Sequence, residues 1–300
     1  MNMFLECTKH FFPRKRPRNM ALVLGGGGAR GYAHIGAIEV LKEHGYTISS
    51  IAGTSMGALV GGIYAAGKLK ELKEKLLSMN RKQIVSLMDI SIGLDHLATG
   101  QRLMQFIEEL TGGIMIEDLP IPFCCIATDI AGGKEEVFSS GPLSIAVRAS
   151  VSIPCFFSPV HHEGKIYVDG GVCNNLPLDR VTRTKHDLLV AVNACAPDSK
   201  PYKTFDRRKN NEGETTTNKL RKLIPTMKWQ LSENYMNLAM RTTRLAMQAN
   251  SLMAIKLNPP DICIDVPMDK FDMFDFDKSK SIIDFGRKAM EKKLKDIERK

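Results

Sequence analysis

Two units of strand, glycine turn and helix follow one another between residues 20 and 66. In the first unit, the apolar run 20–24 leads into four glycines, and residues 32–43 have helical spacing. In the second, the run 48–52 leads into Gly53-Thr54-Ser55-Met56-Gly57, and a helix rich in small residues follows. Such a repeat is typical of parallel strands joined by helices that cover the sheet. The sequence therefore predicts an α/β fold with a mostly parallel central sheet.

The rest of the chain extends this pattern without an internal repeat. Further strands are predicted at 123–128, 165–168, 188–193 and 262–266, and a helix at 143–149. The Met-rich amphipathic stretch 227–253 is predicted to pack against the core. We expect one domain over residues 20–300, preceded by a flexible basic leader at 1–19 and interrupted by a mobile basic loop at 196–224.

Charge is concentrated in three segments of this basic chain of 300 residues and net charge +9. Residues 1–20, 199–230 and 287–300 carry +4, +6 and +4, so the remaining body carries −5. A basic groove through the body, as nucleic-acid binding would need, does not fit this distribution. A nucleotide- or nucleic-acid-binding protein stays as an alternative, but we expect no nucleic-acid partner.

The cysteine pattern and the hydropathy bear on location. Seven cysteines without a CxxC pair indicate buried thiols in a reducing compartment. No apolar run approaches the ~18 residues that a membrane span needs. The leader mixes its apolar residues with basic ones, unlike a secretory signal. These features predict a cytoplasmic protein, with peripheral contact at the inner face of the membrane as a possible role of the leader.

The second glycine turn fits the pattern G-x-S-x-G, with Ser55 at its centre. A nucleophile on a tight strand-to-helix turn needs small neighbours, here Gly53 and Gly57, because side chains would crowd the packed elements. The turn also places the serine at a helix N-terminus, where the dipole favours developing negative charge. The pattern predicts a nucleophilic serine, against the alternative that Ser55 only caps the helix.

The first glycine turn has three interpretations. Gly26, Gly28 and Gly31 match a dinucleotide fingerprint, but the second strand does not end in the acidic residue that would hold a ribose. A phosphate-binding P-loop would need a Gly-Lys-Ser/Thr ending, which is absent. The third interpretation is an oxyanion hole formed by exposed backbone amides. Since Ser55 lies only 24 residues beyond Gly31, the spacing favours this third interpretation.

Asp169 is the candidate base for Ser55. It ends an apolar strand and precedes Gly170 and Gly171, which let the backbone turn and leave the carboxylate projecting from the sheet. A partly desolvated carboxylate can accept the serine proton directly. A Ser–Asp–His triad with His186 remains the alternative, although His186 fits a solvated loop more simply.

Together these motifs resemble the patatin-like phospholipase family. The resemblance rests on Gly26-Gly27-Gly28-Ala29-Arg30-Gly31, Gly53-Thr54-Ser55-Met56-Gly57 and Asp169-Gly170-Gly171. Arg148-Ala149-Ser150 and Asn174-Asn175-Leu176-Pro177 strengthen it. It covers residues 20–195 and looks closest to bacterial single-domain members similar to the catalytic domain of neuropathy target esterase.

The resemblance implies a three-layer α/β/α fold and a Ser–Asp dyad that hydrolyses fatty-acyl esters of phospholipids or lysophospholipids. By position, Ser55 is the nucleophile and Asp169 the base. The amides of Gly26, Gly27 and Gly28 would form the oxyanion hole, with Arg30 supporting that loop. No cofactor and no metal are expected. The expected partners are the lipid substrate and an anionic membrane surface.

Overall fold

A computed structural model of the chain describes residues 18–87, 89, 99–154, 156–199 and 233–299. Within these ranges the chain forms a single eight-stranded sheet. Five of its strands run parallel to one another. They are β1 (Asn19–Leu24), β2 (Thr47–Thr54), β3 (Phe123–Asp129), β7 (Leu188–Ala196) and β8 (Ile262–Pro267), and their order across the sheet is β3-β2-β1-β7-β8.

Three short antiparallel strands complete the sheet beside β3. They are β4 (Lys134–Phe138), β5 (Val160–His162) and β6 (Lys165–Asp169). Strand β4 pairs with residues 125–129 of β3, along one edge. The opposite edge of β3 is shared, because β2 pairs with residues 123–126 and β6 with residues 127–129. Strands β2 and β6 therefore meet end to end along one edge of β3.

Eight α-helices surround the sheet in the described part of the chain. They are α1 (Ala33–Glu43), α2 (Met56–Ala65), α3 (Leu69–Ser78), α4 (Arg81–Leu87), α5 (Gln101–Thr111), α6 (Leu143–Ser150), α7 (Glu233–Leu257) and α8 (Ser279–Glu298). Short 3-10 turns lie at Gly28–Tyr32, Ile116–Asp118, Gly170–Val172 and Phe276–Lys278. The first of these turns contains Gly28 and Gly31 of the first glycine motif, and the third contains Gly170 and Gly171.

The alternation of side chains along β1 shows how the two faces of the sheet are covered. Met20, Leu22 and Leu24 belong to the larger apolar cluster, which includes residues of α1, α2 and α8. Ala21 and Val23 point to the other face and belong to a smaller cluster, against which residues of α7 pack. Both faces of the central strand are thus buried under helices, as a parallel sheet requires.

The predicted three-layer α/β/α fold with a mostly parallel sheet is confirmed by this arrangement. The predicted strands coincide with those observed to within about three residues at each end. The predicted leader falls outside the described residues except for residues 18 and 19, and most of the predicted loop at 196–224 also falls outside them. Among the helices of the described ranges, none is both long enough and apolar enough to cross a membrane.

Candidate active site

Ser55 lies on a sharp turn between β2 and α2. Its backbone adopts φ 55° and ψ −122°, a region that residues with a side chain rarely occupy and that costs on the order of 1–3 kcal/mol. Tight packing enforces the turn, because a side chain at Gly57 would overlap the Leu24 carbonyl. Small residues are therefore required beside Ser55, as the sequence pattern predicts. The strained geometry is typical of a nucleophile held at a fixed position.

Asp169 ends β6 and faces Ser55. The Ser55 hydroxyl donates a hydrogen bond of 2.7 Å to Oδ2 of Asp169, and the Gly171 amide donates one of 2.8 Å to Oδ1. Both residues are only 3% exposed. Burial raises the pKa of Asp169 to about 6, although the hydrogen bonds from Ser55 and Gly171 partly oppose that rise. The carboxylate is therefore a stronger base than an exposed aspartate, and it touches the hydroxyl it would deprotonate.

Ser150, at the end of α6, stabilises the turn at Ser55 by hydrogen bonds. The Ser55 amide donates a hydrogen bond of 2.8 Å to the Ser150 hydroxyl, which in turn donates to the Ile126 carbonyl at 2.5 Å. Ser150 is fully buried. From sequence, Ser150 has no predicted role beyond its place in the Arg148-Ala149-Ser150 block. In the structure it connects the nucleophile turn to β3.

The glycine loop passes directly over the nucleophile, and its amides differ in what they bind. A Cβ atom added at Gly26 would lie 3.2 Å from the Cβ atom of Ser55. The Gly26 amide donates to the Asn175 carbonyl at 3.0 Å, so it is already engaged, which differs from the oxyanion role expected for it. The amides of Gly27 and Gly28 donate to no acceptor within the described ranges. These two amides are the ones available to a ligand beside Ser55.

Arg30 anchors this loop from inside the protein. Its side chain is 1% exposed, and it donates to the Ala194 carbonyl at 2.8 Å and to the Phe271 carbonyl at 3.1 Å. Burial lowers the pKa of the guanidinium from its ordinary value. The supporting position expected for Arg30 matches these contacts, which tie the loop to the end of β7 and to the segment before α8.

His34 makes a contact that the sequence did not predict. Its ring is completely buried in α1, and Nε2 lies 2.8 Å from the Gly25 carbonyl, to which it donates. Burial lowers the pKa of His34 to about 4, so the ring is neutral near pH 7. The only sequence signal for this contact is the nine-residue spacing between Gly25 in the glycine turn and His34 in the following helix. His34 fixes the start of the glycine loop and does not reach Ser55.

Two cavities open onto Ser55. The first is lined by apolar side chains from α2, α3, α4 and α5, among them Met56, Leu59, Leu76 and Phe106. The second is more polar and contains Asp169, Arg30 and Arg244. Gly28 borders both cavities. Ser55 thus lies between an apolar compartment and a compartment with two guanidinium groups.

The described histidines do not complete a triad. His186 is exposed on the turn before β7, whereas Ser55 follows the end of β2. Because β2, β1 and β7 are parallel, all three strands start at one end of the sheet and finish at the other. His186, before the start of β7, therefore lies at the end of the sheet opposite to Ser55. No histidine of the described ranges hydrogen-bonds to Ser55 or Asp169. The alternative with His186 is therefore not supported by the fold.

Close packing explains why the remaining motif positions are glycine. Side chains at Gly53 and Gly170 would meet the carbonyls of Gly57 and Ile126, and one at Gly171 would meet Met247. The structure brings all the sequence-predicted site residues to one end of the sheet. These residues are Ser55, Asp169, Gly26, Gly27, Gly28, Arg30, Gly53, Gly57, Gly170 and Gly171. The Gly26 amide, expected to donate to an oxyanion, donates to the Asn175 carbonyl instead.

Comparison with known proteins places this site in context. An NTE family protein of Mycobacterium tuberculosis, described as uncharacterized, is 41% identical over 182 residues, which are 61% of this chain and 51% of that protein. The chain thus spans about half the length of this relative. A lysophospholipase NTE1 of Scheffersomyces stipitis is 30% identical over 278 residues, which are 89% of this chain and 17% of that protein. The crystal structure of VipD from Legionella pneumophila superposes with a TM-score of 0.43 at 14% identity, over 91% of this chain and 67% of that one.

The family assignment rests on a match to the patatin-like phospholipase model over residues 22–182. That range is more than half of the chain, and it contains the glycine loop, Ser55 and Asp169. The chain belongs to the patatin-like phospholipase family.

Proposed function

We propose that this protein is a serine acyl-ester hydrolase that acts on lysophospholipids or related fatty-acyl esters. The observation that carries the proposal is the 2.7 Å hydrogen bond from the Ser55 hydroxyl to Asp169 at the junction of the two cavities. A buried carboxylate with a pKa of about 6 is ionised near neutral pH and is basic enough to assist the serine. The family membership supports the same class of reaction.

In the acylation step, Ser55 Oγ attacks the carbonyl carbon of the ester while its proton moves to Oδ2 of Asp169. The carbonyl oxygen becomes an oxyanion, which the amides of Gly27 and Gly28 stabilise by hydrogen bonding. The carbon–oxygen bond to the alcohol then breaks, and Asp169 returns the proton to the departing alcohol. The acyl group remains attached to Ser55 as an ester.

In the deacylation step, water attacks the acyl carbon and Asp169 accepts its proton. The oxyanion forms again beside the same two amides. Collapse of this intermediate breaks the bond to Ser55 Oγ, which takes the proton back from Asp169. The products are a fatty acid and the free serine, so the two residues are regenerated without any other reactant.

The two cavities support a placement of the two parts of the substrate. The enclosed apolar cavity, with Leu59, Leu76 and Phe106, suits a fatty-acyl chain, whose transfer out of water is favourable by about 0.8 kcal/mol per buried CH₂. Arg244 borders the second cavity, on the side where the alcohol portion would lie, and it pairs there with Asp272 at 3.1 Å. A lysophospholipid has one acyl chain and one polar head group, which matches an apolar and a more polar compartment. The name of the yeast relative, lysophospholipase, supports this substrate class.

Fatty-acid release from a set of lysophospholipids, diacyl phospholipids and a short soluble ester tests this proposal. We expect the wild type to hydrolyse lysophospholipid and Ser55→Ala to release no fatty acid. Ser49→Ala is the matched control, because it makes the same change on the strand that leads to Ser55, where the Ser49 hydroxyl donates to the Met20 carbonyl. Release from no member of the set, or undiminished release by Ser55→Ala, would reject the proposed function.

A further inference from the structure

Asn175 lies between the glycine loop and helix α7, a few residues beyond Asp169. It is completely buried. Its backbone carbonyl accepts a hydrogen bond of 3.0 Å from the Gly26 amide, and its side-chain Nδ2 donates one of 3.4 Å to the Gly26 carbonyl. The function proposed above uses the amides of Gly27 and Gly28 and gives Asn175 no part, although Asn175 bonds to both polar groups of the residue before them.

The side-chain hydrogen bond of Asn175 sets the orientation of one peptide group. The Gly26 carbonyl and the Gly27 amide belong to the same peptide, which is planar and trans. In such a peptide the C=O and N–H bonds point in opposite directions. Since the Gly26 carbonyl points to Asn175, the Gly27 amide points away from it. Gly27 lines the cavity that contains Ser55 and Asp169.

The peptide that precedes this one is held at both of its polar groups. His34 donates to the Gly25 carbonyl at 2.8 Å. The Gly26 amide, on the other side of that peptide, donates to the Asn175 carbonyl. By contrast, the peptide between Gly26 and Gly27 has one hydrogen bond among the described residues, the one that Asn175 Nδ2 donates to its carbonyl. The direction of the Gly27 amide therefore depends on this side chain.

Helix α7 holds the Asn175 amide group in the orientation that this hydrogen bond needs. The hydroxyl of Ser251, which is fully buried, donates its proton to the Met247 carbonyl at 3.0 Å. It can therefore only accept the hydrogen bond of 2.9 Å that joins it to Asn175, so the donor Nδ2 must face it. Asn250 Oδ1 also accepts a hydrogen bond of 3.3 Å from the Asn175 backbone amide. These contacts direct Nδ2 toward both Ser251 and the Gly26 carbonyl.

The other atom of the Asn175 amide group shows that packing alone does not account for this residue. Its Oδ1 is buried and has no hydrogen-bond partner within the described ranges. It lies between two glycines, since Cβ atoms added at Gly26 and Gly171 would lie 2.5 Å and 2.8 Å from it. A buried carbonyl oxygen without a donor costs free energy, which an apolar side chain of similar shape would avoid. Orientation of the Gly26 carbonyl, however, requires a donor.

We propose that Asn175 is a positioning residue, which aims the Gly27 amide at the oxyanion by holding the Gly26 carbonyl. This inference rests on the proposed function, because it concerns an amide that would stabilise the oxyanion formed at Ser55. Asn175 acts through the peptide and does not touch the substrate. Without Nδ2 the Gly26 carbonyl is buried without a donor and the peptide is free to rotate. The transition state then loses part of one donor, while substrate binding is unchanged.

Two substitutions separate orientation from packing. Asn175→Ala removes the side chain and leaves a gap, whereas Asn175→Leu branches at the same atom and fills the space without a donor. Ser251→Ala is a milder change, which removes only the acceptor that orients Nδ2. Asn174→Ala is the matched control, since this neighbouring buried asparagine donates to Glu135 and Asp179 and not to the glycine loop.

Three quantities are measured for each protein with a soluble short-chain ester. End-point reaction with a fluorophosphonate counts the active sites, so that kcat is expressed per labelled site. KM is measured in the same assay. The inhibition constant of a trifluoromethyl ketone, which forms a tetrahedral adduct with the serine, reports on the oxyanion donors.

We expect kcat per labelled site to fall about tenfold in both Asn175 variants and about threefold in Ser251→Ala, with KM changed by less than about twofold. The inhibition constant should rise by the same factor as kcat falls, and Asn174→Ala should match the wild type. Fewer labelled sites with unchanged kcat per site and unchanged inhibition constant would show a purely structural role and overturn the inference. Recovery of wild-type kcat in Asn175→Leu would also overturn it, because packing alone would then suffice.

Ser251→Ala decides the question if the Asn175 variants yield no labelled sites, and a wild-type kcat per site in it would then overturn the inference. The proposed function is tested separately by the wild type. A wild type that neither reacts with the fluorophosphonate nor hydrolyses the ester would reject the proposed function, and this inference with it. An active wild type with unchanged Asn175 variants would reject this inference alone.

Discussion

The Ser55 hydroxyl lies 2.7 Å from the Asp169 carboxylate because the strands that carry them end against consecutive residues of β3. Thr54, at the end of β2, pairs with Ile126, and Asp169, at the end of β6, pairs with Ala127. The two strands approach from opposite directions along the same edge. Their ends therefore meet, and the nucleophile and its candidate base face each other although 114 residues separate them.

The structure predicts how activity depends on pH. Asp169 must be ionised to accept the serine proton, and burial raises its pKa to about 6. We therefore expect kcat/KM for a soluble short-chain ester to fall about tenfold per pH unit below pH 6 and to be level above it. A steady-state profile measured on stable enzyme checks this. A midpoint at the ordinary aspartate value of about 3.9 would contradict the buried base.

The raised pKa of Asp169 also predicts that Asp169→Asn stabilises the protein in a pH-dependent way. The folded pKa lies above the unfolded value, so the wild type is stabilised by the protonated carboxyl below about pH 4. That contribution is lost as the pH rises through 6, where the buried carboxylate costs about 3 kcal/mol. Asparagine carries no charge and avoids this cost. We expect the variant to gain about 2.5 kcal/mol in free energy of unfolding, relative to the wild type, between pH 4 and pH 8.

Urea unfolding of both proteins at the two pH values measures this difference. His186→Ala serves as a control, since His186 is exposed and remote from the cavity. A difference between Asp169→Asn and wild type that does not change with pH would show that the carboxyl does not titrate as a buried group.

Substitution of Gly28 tests the glycine loop. Gly28 has φ +59°, and a Cβ atom there would lie 2.5 Å from the Met273 carbonyl oxygen, so Gly28→Ala must displace the loop. We expect kcat for a soluble ester to fall by about 10²-fold with little change in KM, because the role proposed for the Gly28 amide is to stabilise the transition state. Gly67→Ala is the matched control, since Gly67 has φ +75° but no atom within 4 Å of an added Cβ. Equal loss of kcat in both variants would point to general destabilisation.

Filling the apolar cavity should change chain-length preference. Leu76 lines the cavity and is buried, so Leu76→Phe reduces the space for an acyl chain. We expect the ratio of kcat/KM for a long-chain ester to that for a butyrate ester to fall about tenfold. The ratio cancels any general loss of active protein. Leu77→Phe, one residue further along α3 and 45% exposed, should leave the ratio unchanged, and a similar fall in that variant would argue against the cavity as the acyl site.

Much of the fold could be predicted from sequence because its signals are local. Each central strand is an apolar run, and the glycine turns mark where strands give way to helices. The pairing of β6 with β3 could not be predicted, since strand register depends on contacts between distant segments. The amphipathic pattern at 227–253 predicts packing against the core; its described part, from residue 233 onward, lies in α7, and Ala254 and Ile255 pack just beyond that stretch. It did not indicate that Leu252 and Met253 point outward.

In the site too, local motifs could be read from the sequence, whereas contacts between distant segments could not. The motifs located Ser55 and Asp169, whose types and neighbours are characteristic. Which amides of the glycine loop are free could not be read from sequence, because the Gly26 amide is engaged by the Asn175 carbonyl, 149 residues away in the chain. The contacts of Ser150 and His34 were missed for the same reason, as both depend on three-dimensional packing around an ordinary polar residue.

The most direct test of the account is covalent labelling with a fluorophosphonate, followed by mapping of the labelled peptide by mass spectrometry. We predict a single label on Ser55 in the wild type, no label in Ser55→Ala, and labelling slowed by about 10²-fold or more in Asp169→Asn. Ser49→Ala should be labelled at the wild-type rate. A label on another residue, or equal labelling of wild type and Ser55→Ala, would contradict the assignment of Ser55 as the nucleophile.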